Sequence, residues 1–153
     1  MHRRKNMGHV VLTLSYESVS SLIMATKRHA NLTEAEAIEQ VKAGLAWAEV
    51  IFLAGKLGIS LDHLADLLDI PNATFFRRKG GRFTVQESDH IMRYALLFDL
   101  ARSVMENDEG AREWLSTPEF ALNGITPLEH ARTEVGARQV TTLLHRIDHG
   151  IAI

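Results

Sequence analysis

The chain has 153 residues, 46% apolar and 24% charged, a folded composition rather than a disordered one and enough for one domain or two small ones. Its 17 basic and 19 acidic residues leave a net charge of −2, so attraction to nucleic acid has to come from a local patch and not from the whole surface. There is no cysteine, which excludes disulfides, thiolate catalysis and cysteine-ligated metal.

The start, MHRRKNMGHVVLTL, is basic, but its apolar run covers only Val10–Leu12, too short for a signal-peptide core. Met7 could serve as an alternative start. Residues 1–32 read as an N-terminal arm or extension: HVVLTLS as a short strand or extended segment, Ser18–Arg28 as a possible helix. The most apolar stretch, Ala43–Gly55, is interrupted by Glu49 and falls short of the roughly 20 residues a membrane span needs. A soluble, cytoplasmic protein with no membrane partner is expected.

From residue 33 the signals are helical. Thr33 and Glu36 have capping-box spacing, and Ile38, Val41, Leu45, Ala48 and Phe52 follow at helical intervals, predicting one helix that Gly58 ends. Ser60 caps a short helix, Leu61–Leu68, which Pro71 stops. Thr84 and Glu87 open a long helix to about Asn107. It carries two apolar stripes, Ile91, Ala95, Phe98, Met105 and Leu96, Leu100, Val104, so it should be buried on two sides. Asn107–Gly110 reads as a polar break, followed by a helix with Trp114 and Leu115 as core anchors. Asn123-Gly124 favours a turn, and Thr126-Pro127-Leu128-Glu129 a helix start. The last helix carries Val140, Leu143, Leu144 and Ile147, and Gly150 ends it. The fold class is all-α, with boundaries at 33–107 and 108–153 after the arm.

IPNATFFRRKGGR, residues 70–82, sits in an acid-free window, Asn72–Gln86. Leu61–Leu68 and Asn72–Lys79, joined by Asp69-Ile70-Pro71, have helix-turn-helix spacing. At about 100° per residue, Phe75 and Phe76 take one side of the second helix, towards Leu64 and Leu68. Ala73, Thr74, Arg77 and Arg78 take the other. Such a helix fits the DNA major groove. Its early residues Asn72, Ala73 and Thr74 would lie near base edges, Arg77 and Arg78 would reach bases, and Lys79 and Arg82 would meet phosphates. One such unit reads one half-site, so homodimers on an inverted repeat are expected. Basic residues at a helix C-terminus are also favoured by the helix dipole alone. Two positions depart from the usual pattern: Asp69 stands where the turn often has glycine, and Arg78 where an apolar residue is common.

Sites for catalysis are not apparent. His145 and His149 are one turn apart and could face one metal, but the flanking residues are not HExxH and no third ligand is in register. Asp62-His63 and Asp89-His90 are sequential neighbours, which point apart on a helix. AGKLG lacks the P-loop pattern, since Lys56 is followed by leucine and position 50 is valine.

Three stretches carry a family resemblance. GLAWAEVIFLAGKLGISLDHLADLLDIPNATFFRRKGGRFTVQESDHIMRYA is similar to an Xre-like helix-turn-helix with its arginine pair. WLSTPEFALNGITPLEHARTEVGARQV has the tryptophan-leucine, proline, turn, "tPle" and glycine order of an antitoxin C-terminal domain. LLHRIDHGIAI is similar to the ending of that domain. From about residue 38 onward the chain thus resembles the MbcA/ParS/Xre antitoxins, in particular the Xre partners of RES-domain toxins. The resemblance implies a type II antitoxin with no activity or cofactor of its own: one domain on operator DNA, the other holding a toxin that degrades NAD. The toxin contacts expected are the apolar tail Ile151, Ala152 and Ile153 after Gly150, entering the toxin cleft with the terminal carboxylate, and a polar rim of Arg146 and His149. The alternative is a stand-alone helix-turn-helix regulator, for which that apolar ending would be surplus.

Overall fold

The computed structural model describes residues 32–151. The expectations for the arm before Leu32, and for Ala152 and Ile153, lie outside the described residues.

Helix α1 (Glu34–Ala43) starts as the capping spacing predicts: Thr33 Oγ1 accepts from the Glu36 N–H at 3.3 Å, and the Glu36 carboxylate accepts from the Thr33 N–H at 2.8 Å. It does not continue to Gly58. The helix breaks at Gly44, where φ is +79°, and restarts as α2 (Trp47–Leu57). Packing explains the break. A Cβ at position 44 would lie 2.6 Å from the Phe83 carbonyl oxygen, so only glycine allows that approach. The Leu45 N–H donates to the buried Ser88 Oγ at 2.9 Å, and the Phe83 N–H donates to the Leu45 carbonyl at 3.0 Å. Glu49 then accepts from the Ala46 N–H at 2.6 Å and starts the new helix.

Ser60 caps α3 (Leu61–Leu67), accepting from the His63 N–H at 3.1 Å, and α4 (Asn72–Arg77) follows after Pro71. A 3-10 turn over Arg78–Gly80 leads to α5 (Val85–Met105), opened by the Thr84–Glu87 capping box. Helix α5 packs against α1 and α2, and also against α6 (Asp108–Ser116) and α8 (Glu134–Asp148), as its two stripes predict. The second stripe is covered only in part: Leu100 and Val104 are half-buried and Leu96 is exposed. The polar break is a sharp corner. Glu106 is left-handed at φ +66°, and Asn107 caps α6 by accepting from the Gly110 N–H at 2.7 Å. Leu115 is fully buried and Trp114 half-buried.

A 3-10 turn, Phe120–Leu122, and the Asn123-Gly124 turn precede α7 (Pro127–His130). Along α8, Val140, Leu143 and Leu144 are buried and Ile147 is half-buried. Among the described residues the extended pairings are isolated bridges, Ala46 with Arg82 and Glu119 with Ile125, so the architecture is all-α. No helix among them is long and apolar enough to cross a membrane.

One hydrophobic core runs through both halves. The fully buried Tyr94 on α5 ties them together: its hydroxyl lies 3.1 Å from the Leu128 carbonyl and 3.4 Å from that of Leu67. Burial pushes the phenol far above its ordinary range, so it stays a neutral donor. Arg132 bonds the carboxylates of Asp66 and Glu129, fixing α3 to the α7–α8 corner. Lys56 pairs with Asp99 at 2.9 Å, and Arg112 donates to the Lys56 carbonyl at 2.7 Å.

Candidate functional site

The α3–α4 unit is held by its turn. Asp69 takes the left-handed conformation at φ +57°, the one usually given to glycine, which aspartate tolerates better than most residues. Its departure from the usual pattern is therefore one of residue type and not of backbone shape. The Ile70 N–H donates to the Ala65 carbonyl at 3.0 Å, and Ile70 is buried. Asn72 Nδ2 donates to Asp62 Oδ1 at 3.0 Å, bracing the start of α4 on α3.

The two phenylalanines of α4 join a cluster that the local spacing does not reveal. Phe75, fully buried, lies edge-on to Trp47 at 5.2 Å between ring centroids. Phe83 stacks on Trp47 at 6.1 Å, and Phe76 lies 5.8 Å from it. Trp47 and Phe83 come from either side of the helix-turn-helix in sequence, so only the fold brings them together. This cluster turns the opposite side of α4 outward. Ala73 and Arg77 are exposed there and Thr74 is half-buried. Arg77 Nη2 lies 3.3 Å from Thr74 Oγ1.

The four expected cations are in different situations. Arg77 is exposed, with a hydroxyl as its partner. Lys79 is exposed, with its Nζ 5.1 Å from the Phe76 ring and 5.6 Å from the Trp47 ring. Arg82 donates to the Gly44 carbonyl at 2.5 Å, clasping the α1–α2 break. Arg78 is committed inward: its Nε and Nη2 donate to the two Glu87 oxygens at 3.0 and 2.9 Å. Burial works against the charged form of Glu87, but the bonds from Arg78 and Thr84 outweigh it and hold the carboxyl below its ordinary value. Glu87 thus does two jobs, capping α5 and anchoring the last turn of α4. An arginine at a position that is often apolar is accommodated by this pairing. The expectation that Arg78 reaches a base requires it to leave Glu87.

At the other end of the chain Arg146, His149 and Gly150 are exposed, as is Ile151. The Ile151 N–H donates to the Arg146 carbonyl at 2.9 Å, which ties Ile151 back to the last turn of α8. His149 Nδ1 lies 2.7 Å from the His145 backbone carbonyl, which engages one ring nitrogen. Of the other histidines considered, His63 lies 3.7 Å from Glu129, while Asp62 serves Asn72. Gly136 sits in the first turn of α8 with the His130 carbonyl against it: a Cβ there would come within 1.8 Å of that oxygen.

Comparison with known proteins matches both halves. Residues 36–95 match the antitoxin Xre-like helix-turn-helix domain, and residues 100–150 match the antitoxin Xre/MbcA/ParS C-terminal toxin-binding domain. A protein named antitoxin Xre from Yersinia enterocolitica is 38% identical over 113 residues, 63% of this chain and 76% of that one. One of the same name from Photorhabdus laumondii is 38% identical over 72 residues, 46% of this chain and 49% of its own length. Another from Pseudomonas putida is 34% identical over 70 residues, 46% and 44% respectively. With an exposed basic helix braced by an aromatic cluster, and a second helical unit sharing its core, the chain belongs to the Xre/MbcA/ParS antitoxin family.

Proposed function

We propose that the chain is the antitoxin of a type II pair whose toxin is a RES-domain enzyme that degrades NAD. It inhibits that enzyme by occluding its active site, and it binds operator DNA as a homodimer in the cytoplasm to regulate its own operon. It has no catalytic role and uses no cofactor. The observation that carries this reading is the presence, on one chain, of a helix-turn-helix match and a toxin-binding match joined through α5. The RES assignment is supported by the three stretches taken together, which from about residue 38 onward resemble the Xre partners of RES-domain toxins.

On the DNA side, Asn72, Ala73 and Thr74 approach base edges and Arg77 makes the principal base contact. Lys79 and Arg82 meet phosphates. Arg78 positions α4 through Glu87 and makes a base contact only if that pair opens. On the toxin side, Ile151 with Ala152 and Ile153 enters the cleft, and Arg146 and His149 form its polar rim. Burying one isoleucine side chain is worth about 1.5–3 kcal/mol, so two can decide tight binding.

The test is co-expression. The protein encoded by the adjacent reading frame is induced with and without this chain, and growth and cellular NAD are followed. Restored growth and NAD support the proposal; continued NAD loss with the chain present overturns it.

A further inference from the structure

Phe120 is the least expected side chain on the surface: it is 98% exposed, although removing a phenylalanine from water is strongly favourable. It is not on a loose loop. The Glu119 N–H donates to the Ile125 carbonyl at 3.2 Å, and the Gly124 N–H donates back to the Glu119 carbonyl at 2.9 Å. Leu122, buried next to it, pins the turn to the core. The ring is therefore held out in water by a closed, hydrogen-bonded turn. A rigid aromatic presented in this way needs little further ordering on binding, the property that makes aromatic residues binding anchors.

Beside this turn runs a cleft of about 430 Å³ between residues 121–123 and one stripe of α8. The stripe is Val135, Arg138, Gln139, Thr142 and Arg146, on the side of the helix away from buried Val140 and Leu144. Val135 and Ile125 add exposed apolar surface near either end of the segment that joins the turn to α8. No acidic residue lines the cleft, and Arg138 and Arg146 both face it. Neither guanidinium has a carboxylate partner among the described residues. Arg146 is also the residue whose carbonyl holds the Ile151 N–H, so the cleft leads to the start of the tail.

We infer that Phe120 and this cleft form a second toxin contact that adjoins the tail's contact at Arg146: Phe120 enters an apolar socket on the toxin, and acidic side chains beside the socket pair with Arg138. This rests on the proposed toxin partnership and adds to it the place and chemistry of the contact. The occupant is a protein surface with an apolar hollow and an acidic rim. It is not a small molecule, because the projecting group belongs to this chain. The tail would then act on the active site while Phe120 supplies grip outside it.

The test uses the full chain and the protein encoded by the adjacent reading frame, with affinity measured by calorimetry and each variant's melting temperature recorded. Phe120→Ala is compared with Ile51→Ala, which truncates another exposed apolar residue on α2, away from this face. We expect Phe120→Ala to melt like the parent and bind at least about tenfold more weakly, as loss of an anchor does. Arg138→Glu should also weaken binding, and Ile51→Ala should leave it unchanged. Parental affinity in Phe120→Ala, or an equal loss in Ile51→Ala, overturns the anchor while leaving the toxin partnership standing. Absence of binding by the parent chain overturns both.

Discussion

Arg78 and Glu87 are joined by two hydrogen bonds, of 3.0 and 2.9 Å, that tie the last turn of the exposed helix α4 to the first turn of the central helix α5. The presentation of α4 therefore depends on an ionised carboxylate. The Glu87 carboxyl is held below its ordinary value in the folded state, so its contribution to stability is fully present above the usual carboxylate range and is lost as pH falls through the depressed value. Glu87→Gln keeps an acceptor for the cap and removes the charge. The variant should melt lower than the parent at pH 7 and lose less on going to about pH 4. Circular dichroism melts at the two pH values check this; parallel curves for both proteins would show that the pair does not link stability to pH.

Arg77 and Lys79 should fail in different ways. Arg77 is exposed on α4 and free of any carboxylate among the described residues, so Arg77→Ala should leave the fold intact and cost about 1–3 kcal/mol of discrimination at one operator position, if it grips a guanine. Lys79→Ala should weaken binding to all sequences alike and reduce the salt dependence by about one phosphate contact. Gel-shift titrations on the operon's own promoter at several salt concentrations separate the two. Parental affinity and selectivity for Arg77→Ala would remove α4 as the reading helix.

Asp69 should tolerate some changes and not others. Its φ of +57° suits glycine and excludes β-branched side chains, so Asp69→Val should destabilise by about 1–2 kcal/mol while Asp69→Gly stays near the parent. Urea titration measures both. Equal stability of the valine and glycine variants would mean that the turn can rearrange.

Gly136→Ala should damage the C-terminal half first. The new Cβ would lie 1.8 Å from the His130 carbonyl oxygen, a backbone atom that cannot swing aside as a side chain can, so α7 or α8 has to move. Overpacking of this kind costs about 1–3 kcal/mol and sometimes more. Toxin protection should fall well before operator binding does, because α4 is braced by Trp47, Phe75 and Phe83 on the other side of the core. Loss of both together would mean that the shared core transmits the damage.

What could be read in the sequence was local. Capping boxes at Thr33 and Thr84, the Ser60 and Thr126 caps and the stripe of α8 all depend on groups within about two helical turns, and each appears where its spacing places it. The helix-turn-helix followed from the same signals. The break at Gly44 did not, because its partners Ser88 and Phe83 lie on the far side of the recognition unit. Arg78 illustrates the same limit: helical angles place it on the exposed side with Arg77, but Glu87, nine positions on, draws it inward. Phe120 was missed for the opposite reason. An aromatic residue next to a turn normally reads as core, and only its surroundings reveal that it is not covered.

Inhibition of an NAD-degrading enzyme by direct binding is the proposed role of this chain. NAD consumption by the purified protein of the adjacent reading frame is followed while this chain is titrated in. The rate should fall to near zero at a fixed molar ratio, and residual activity should remain when residues 151–153 are deleted. An unchanged rate at molar excess of the intact chain would contradict it.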